Sequence, residues 1–226
     1  MNLPKKELFL HSNMCIIGGY LGAYALLCRC ANFGSAQTNN MIQIFCCILG
    51  KDYMDFFLRI LGLFVYAAAI VLCVVLSKKT SCNMQKYAIT IDFIGMILLC
   101  FIPASVNPII GILPIFFIMA THWSVFHGVE KYNSSTIFST NNLRQMTVGI
   151  SEYLLTKEET SLNKAKFYGN TLLWYHIGVI LSFFACRKFG IYASLCCIPF
   201  TLSAFFLTSC KSLAHIQLFL FCHKKQ

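Results

Sequence analysis

The sequence predicts an all-α integral membrane protein of six transmembrane helices in a 3+3 inverted repeat, each half carrying a short re-entrant half-helix after a Thr-Asn-Asn motif. Three observations predict it. The 226 residues are 58% hydrophobic and 12% charged, with 21 phenylalanines and a mean hydropathy of +0.68, whereas a soluble domain carries roughly 25% charge. Apolar runs of near-bilayer length alternate with short polar stretches along the whole chain. One phrase also occurs twice: Thr38-Asn39-Asn40-Met41-Ile42-Gln43 returns 102 residues later as Thr140-Asn141-Asn142-Leu143-Arg144-Gln145.

The first apolar run, Met14 to Leu27, follows Lys5 and Lys6 and has the look of a signal peptide. Cys28-Arg29-Cys30-Ala31-Asn32 is a poor cleavage site, so the run is read as an uncleaved first span. Gly18, Gly19 and Gly22 would let a neighbouring helix approach closely, and Tyr20 and Tyr24 are the alternative lining of a pore. The first triplet has the short polar side chains that cap a helix start. Behind it Met41 to Leu49 is about nine residues, or roughly 14 Å, half a bilayer core, so this helix dips in without crossing.

Lys51, Asp52, Asp55 and Arg59 then mark an aqueous stretch before a second span from about Phe56 to Leu76, stopped by Lys78 and Lys79. The third span, Tyr87 to Ile102, contains Asp92. A carboxylate costs roughly 2.5 to 3.5 kcal/mol at the centre of an inserted helix, so Asp92 must face protein or water. An uncharged loop, Pro103 to Pro108, leads to a fourth span ending near Phe126, with Pro114 as a kink site, His122 as a proton-handling or binding group and Trp123 as an interfacial anchor. The second triplet opens a short helix to about Leu155, followed by a charged segment, Lys157 to Lys166. A fifth span, Phe167 to Cys186, and a sixth, Phe189 to Ser209 with Pro199, complete the domain.

The whole chain, 1–226, reads as one membrane domain with repeat 1 over about 10–104, repeat 2 over about 108–210 and a cytoplasmic tail from 211 to 226. A second block supports the duplication: Leu63-Phe64-Val65-Tyr66 matches Leu172-Leu173-Trp174-Tyr175 at an offset of 109. Three spans per half turn the second copy upside down. With the N-terminus inside, only Arg29, Lys51, Arg59, Arg187 and Lys188 fall outside, and the other thirteen Lys and Arg fall inside. That bias favours six spans over eight and places both termini in the cytoplasm.

Charge distribution also excludes some functions. The net charge of +10 is scattered between apolar runs, which argues against nucleic acid and for positive-inside topology. Thirteen cysteines contain no Cys-x-x-Cys pair and sit mostly in apolar runs, so no metal and no cofactor is expected. No paired acidic motif, nucleophile elbow or phosphate loop is present, so the chain is not read as an enzyme.

Gly18-Gly19-Tyr20-Leu21-Gly22-Ala23-Tyr24, the two triplets, Pro114-Ile115-Phe116-Phe117 with His122-Trp123, and Thr136 to Leu143 together resemble the YoaK-like family of bacterial integral membrane proteins. In that family the triplet is often Thr-Gly-Asn, from which Asn39 and Asn141 depart; Asn tolerates left-handed backbone angles better than most residues. The resemblance implies a polytopic protein of the bacterial plasma membrane and supplies no substrate.

Half-helices that start near the midplane of an inverted repeat offer partial positive charge to a permeant. The sequence therefore points to a small-solute transporter or channel whose binding site is formed by Thr38, Asn39, Asn40, Thr140, Asn141 and Asn142, with Asp92, His122, Tyr66 and Tyr175 as gating or proton-coupling groups. Its partners are the lipid bilayer and a small polar or anionic solute, and a homo-oligomer fits equally well. The alternative is a non-transporting scaffold or regulatory subunit whose triplets only cap buried helices.

Overall fold

Residues 4–29 and 37–209 are described in the computed structural model. Their chain forms eight helices and one tiny hairpin: α1 (Lys5–Arg29), α2 (Gln37–Leu49), α3 (Tyr53–Lys79), α4 (Met84–Phe101), α5 (Pro108–Val125), β1 (Gly128–Val129), β2 (Tyr132–Asn133), α6 (Thr140–Thr156), α7 (Glu159–Phe189) and α8 (198–209). A 3-10 segment, Gly190–Cys197, joins α7 to α8. The stretch expected to be a cytoplasmic tail, 211–226, lies outside the described residues. Four helical stretches are long and apolar enough to cross a membrane: Tyr53–Lys79, Met84–Phe101, Pro108–Val125 and Glu159–Ser209. Their outer surface is apolar, with Phe57, Phe64, Val71, Phe184 and Phe206 all exposed. The protein is membrane-embedded, because water would not tolerate so much contiguous exposed hydrocarbon.

Several boundaries differ from the sequence reading. The first helix starts at Lys5, well before Met14, because His11, Ser12 and Asn13 are buried by protein and do not meet lipid. Asn13 donates to the Phe200 carbonyl at 3.0 Å, and Asn170 donates to the Ser12 hydroxyl at 3.3 Å. The charged segment Lys157 to Lys166, read as the break between the second short helix and the fifth span, is largely helical. Most of it is the first turns of the 31-residue α7, packed back on α6 through Gly149 against Ala165 and the Lys164–Glu152 ion pair at 3.5 Å. The sixth span does not run from Phe189 as one α-helix, since the 3-10 turns intervene before Pro199.

The second triplet does not cap its helix, and the first lies within the described part of α2. In α2 the triplet lies inside the first turn, behind Gln37, and in α6 the N-cap is Ser139, which makes no side-chain cap bond.

The core is built around α1 and α5, the two helices richest in buried residues. Met14, Ile17, Tyr20, Leu21 and Tyr24 from α1 meet Ile112, Ile115, Phe116 and Met119 from α5 in one cluster. Helix α1 packs chiefly on α7, and α5 on α3; α2 packs on α3, and α6 on α7; α4 packs on α5, and the 3-10 segment on α1. Exchanging the first half of the chain for the second leaves this list of neighbours unchanged.

Directions follow from the contacts. Helices α1 and α7 run parallel, with Leu8 at the Phe167 and Tyr168 cluster, Gly19 against Tyr175 and Cys28 donating to the Gly190 carbonyl. Helices α3 and α5 also run parallel, from Asn107 donating to Asp55 at 3.2 Å to Gly62 against the Phe116 ring. Helices α4 and α8 are antiparallel: Lys86 lies over the Phe205 ring, and Ser194, ahead of α8, donates to the Met96 carbonyl.

The seam between α1 and α7 is backbone on backbone. A Cβ on Gly19 would overlap the Tyr175 carbonyl oxygen, and one on Gly178 the Ile16 carbonyl. Gly19 thus has the close-packing role expected of it, and Gly18 packs as closely on the Thr136 backbone.

Candidate functional site

Asp92 comes from the middle of α4 and His122 from the last turns of α5. Helix α4 is capped by Asn83, whose side chain accepts from the Lys86 N–H at 3.0 Å; α5 is started by Asn107 and Pro108, and Asn107 accepts from the Ile109 N–H at 2.8 Å. These two starts fix how far along each helix the polar residues fall. Asp92 Oδ2 and His122 Nε2 are 2.7 Å apart, and both side chains have no exposed surface. Asp92 Oδ1 and His122 Nδ1 have no hydrogen-bond partner among the described residues. The edge of the His122 ring meets Phe126 at 5.6 Å between centroids. Asp92 had looked solitary on its span; its partner stands 30 residues away on the next helix, a spacing no local pattern reveals.

Of the triplet residues, Asn40 and Asn142 are buried, whereas Thr38, Asn39, Thr140 and Asn141 are exposed. Asn40 donates to Gln37 Oε1 and to the Arg59 carbonyl, both at 3.1 Å. Asn142 donates to the carbonyls of Ser135 at 2.7 Å and Phe138 at 2.8 Å. In both residues Oδ1 is buried with no donor among the described residues. The two asparagines therefore make the same kind of anchor in each half, each tied to neighbours of its own half. Tyr66 and Tyr175, equivalent by sequence, are both buried, and the Tyr66 hydroxyl has no partner.

Sequence reasoning missed two further polar residues, Arg29 and His11, and left the role of Tyr20 and Tyr24 open. Arg29 is 4% exposed and donates to the carbonyls of Leu99 at 2.6 Å, Ile102 at 2.9 Å and Pro103 at 3.2 Å, placing a cation on the negative end of α4. His11 shares a 2.8 Å bond with Ser134 and stacks on Phe167. Tyr20 and Tyr24 donate to the carbonyls of Ala193 and Ile191, so they fasten α1 to the 3-10 segment. A basic residue at the end of an apolar run was the available signal for Arg29; His11 offered none.

Three cavities bear on function. Two are grooves open to the outer surface: one of 470 Å³ between α3, α4 and α5, and one of 340 Å³ between α1, α7 and α8. The third, 250 Å³, is polar and lies beneath the β-hairpin; of the three, it alone includes a triplet residue, Asn141. Cys47, Asp52 and Asp55 bring possible ligand atoms within 4.8 Å of one another. Both carboxylates already serve structure, Asp52 as the α3 N-cap and Asp55 as acceptor for Asn107.

Fold and site together define a helical membrane protein with a desolvated carboxylate–imidazole pair in its interior. The chain belongs to the family described as Protein of unknown function (DUF1275), whose pattern matches residues 10–208. The YoaK-like resemblance is compatible with that membership. No curated protein and no solved structure matches the chain.

Proposed function

We propose that the chain is a small-solute transporter or channel of the bacterial plasma membrane, with Asp92 and His122 as its charge-handling couple. The single observation that carries this reading is their 2.7 Å contact at zero exposure. Ionisable residues inside a membrane are costly, and they recur on ion, proton and substrate paths. Well-packed apolar residues would pin α4 to α5 at least as firmly as a buried ion pair. With one open hydrogen-bonding site on each partner, the pair has room to accept or pass on a proton.

The topology in this reading is six crossings, by α1, α3, α4, α5, α7 and α8, with the second half inverted. Helix α2 has 13 residues, about 20 Å, and is too short to cross. The stretch Glu159–Ser209 has 51 residues, about 77 Å, enough for two crossings. The neighbour list that survives exchange of halves supports the duplication. The backbone of Thr136, just before α6, touches Gly18 in the middle of α1, which supports a re-entrant start for α6. Both termini are cytoplasmic on the positive-inside count. The role is non-enzymatic, and the triplets anchor the half-helices on which the solute path depends.

One observation favours the scaffold reading instead: Asn40 and Asn142 give both amide hydrogens to neighbouring carbonyls, which needs no solute. Proteoliposomes separate the two. With an entrapped pH dye and a panel of small amides, polyols and monocarboxylates, transport predicts solute-dependent flux that Asp92→Asn and His122→Gln both abolish while the protein still elutes as a folded peak. No flux from the wild-type chain with any solute, together with a dedicated co-purifying partner, would establish the scaffold.

A further inference from the structure

The pocket beneath the β-hairpin is not assigned by anything above. It is bounded by the end of α5, the hairpin and the start of α6, with Trp123, Phe126 and Phe138 as walls and His127, Asn133 and Asn141 as polar groups. Trp123 and Phe138 meet edge to face at 5.4 Å, so the apolar wall is ordered. No carboxylate, ammonium or guanidinium lines it. His127, Asn133 and Asn141 are exposed at the rim of the pocket; their side chains make no hydrogen bond to another described residue, and each offers both a donor and an acceptor to whatever enters. Nor is any acceptor bonded to the N–H groups of Thr140, Asn141 or Asn142 at the start of α6, because Ser139 makes no cap bond. A charged solute would meet no counter-charge here. A molecule with a carbonyl beside an N–H would answer the whole set: its oxygen accepts from the helix start or an amide N–H, and its own N–H donates to an asparagine oxygen.

We infer that this pocket is a binding site for a small neutral amide, stacked against Trp123 and hydrogen-bonded by Asn141 and Asn133. Phe126 forms one wall of the pocket and at the same time packs on the His122 ring, so occupancy of the pocket reaches the Asp92–His122 pair through a single side chain. The inference rests on the transport reading for its purpose, since it supplies that reading's solute class.

Trp123 and Trp174 are the two tryptophans of the chain, which makes the site directly observable. The full-length Trp174→Phe protein in nanodiscs is titrated with propionamide and, separately, with propionate, while Trp123 emission is followed. A saturable change with propionamide, little or none with propionate, and a half-saturation raised at least tenfold by Asn141→Leu or Asn133→Leu are the expected results. No saturable change with either probe removes the site, and an equal or stronger response to propionate overturns the neutral-amide assignment. Size-exclusion elution of the leucine variants separates lost binding from lost folding. Binding without flux in proteoliposomes would sink transport and leave the pocket standing; amide flux without a Trp123 response would do the reverse.

Discussion

The seam between α1 and α7 and the seam between α3 and α5 are the same pairing made in two ways. In the first, Gly19 and Gly178 bring backbone onto backbone. In the second, Gly62 accepts the Phe116 ring, and the buried polar atoms of Tyr66, Asp92 and His122 that have no partner among the described residues lie on these helices and α4. A backbone seam has nothing that can rotate out of the way. A seam filled by side chains can repack, so the second half of the comparison marks the working region and the first the frame.

The largest effect that would break this comparison comes from a bulky residue in the frame. Gly19→Leu or Gly178→Leu is expected to abolish the monodisperse detergent-extracted protein on size-exclusion chromatography, because the overlap is with main-chain oxygen. Gly62→Ala should cost only about 1 to 3 kcal/mol, since the Phe116 ring can shift. Comparable losses from Gly62→Ala and Gly19→Leu would erase the distinction.

Next comes the ion pair. Asp92→Ala leaves a buried imidazole unmatched and should lower unfolding stability by about 3 to 5 kcal/mol, whereas the double replacement Asp92→Leu with His122→Leu should recover most of that loss and show no flux. Recovery of flux together with stability would make the pair a mere pin. Smaller again, Arg29→Met frees three carbonyls at the end of α4 and should cost about 1.5 to 3 kcal/mol in the same unfolding measurement. Smallest, Glu152→Ala removes a partly exposed ion pair between α6 and α7 and should change stability by less than about 1 kcal/mol.

Much of the helical skeleton was legible in the apolar runs, because a lipid-facing helix must be apolar on its outer surface. What stayed hidden was set by partners distant in sequence. The first span read as starting at Met14, yet Ser134, Asn170 and the Phe200 carbonyl bond His11, Ser12 and Asn13 in the buried turn ahead of it. The triplets read as caps because Thr and Asn cap helices in general, but Asn40 bonds Gln37 and the Arg59 carbonyl within the fold, not an orphan N–H of its own helix. Lys157 to Lys166 read as a charged break ahead of the fifth span, while Gly149 against Ala165 makes most of it part of a helix hairpin. Asp92 and His122 were each singled out; only the packing of α4 on α5 joins them.

The account stands on the halves facing opposite ways, and the turns at the far ends of α2 and α6 report this directly. In a chain whose own cysteines are replaced, single cysteines at Tyr53 and Glu159, the first residues of α3 and α7, are labelled in intact cells and in inside-out vesicles with a membrane-impermeant maleimide. The predicted result is labelling of the Tyr53 position only from outside and of the Glu159 position only from the cytoplasmic side. Labelling of both from one side would contradict the inverted arrangement and the transport path built on it.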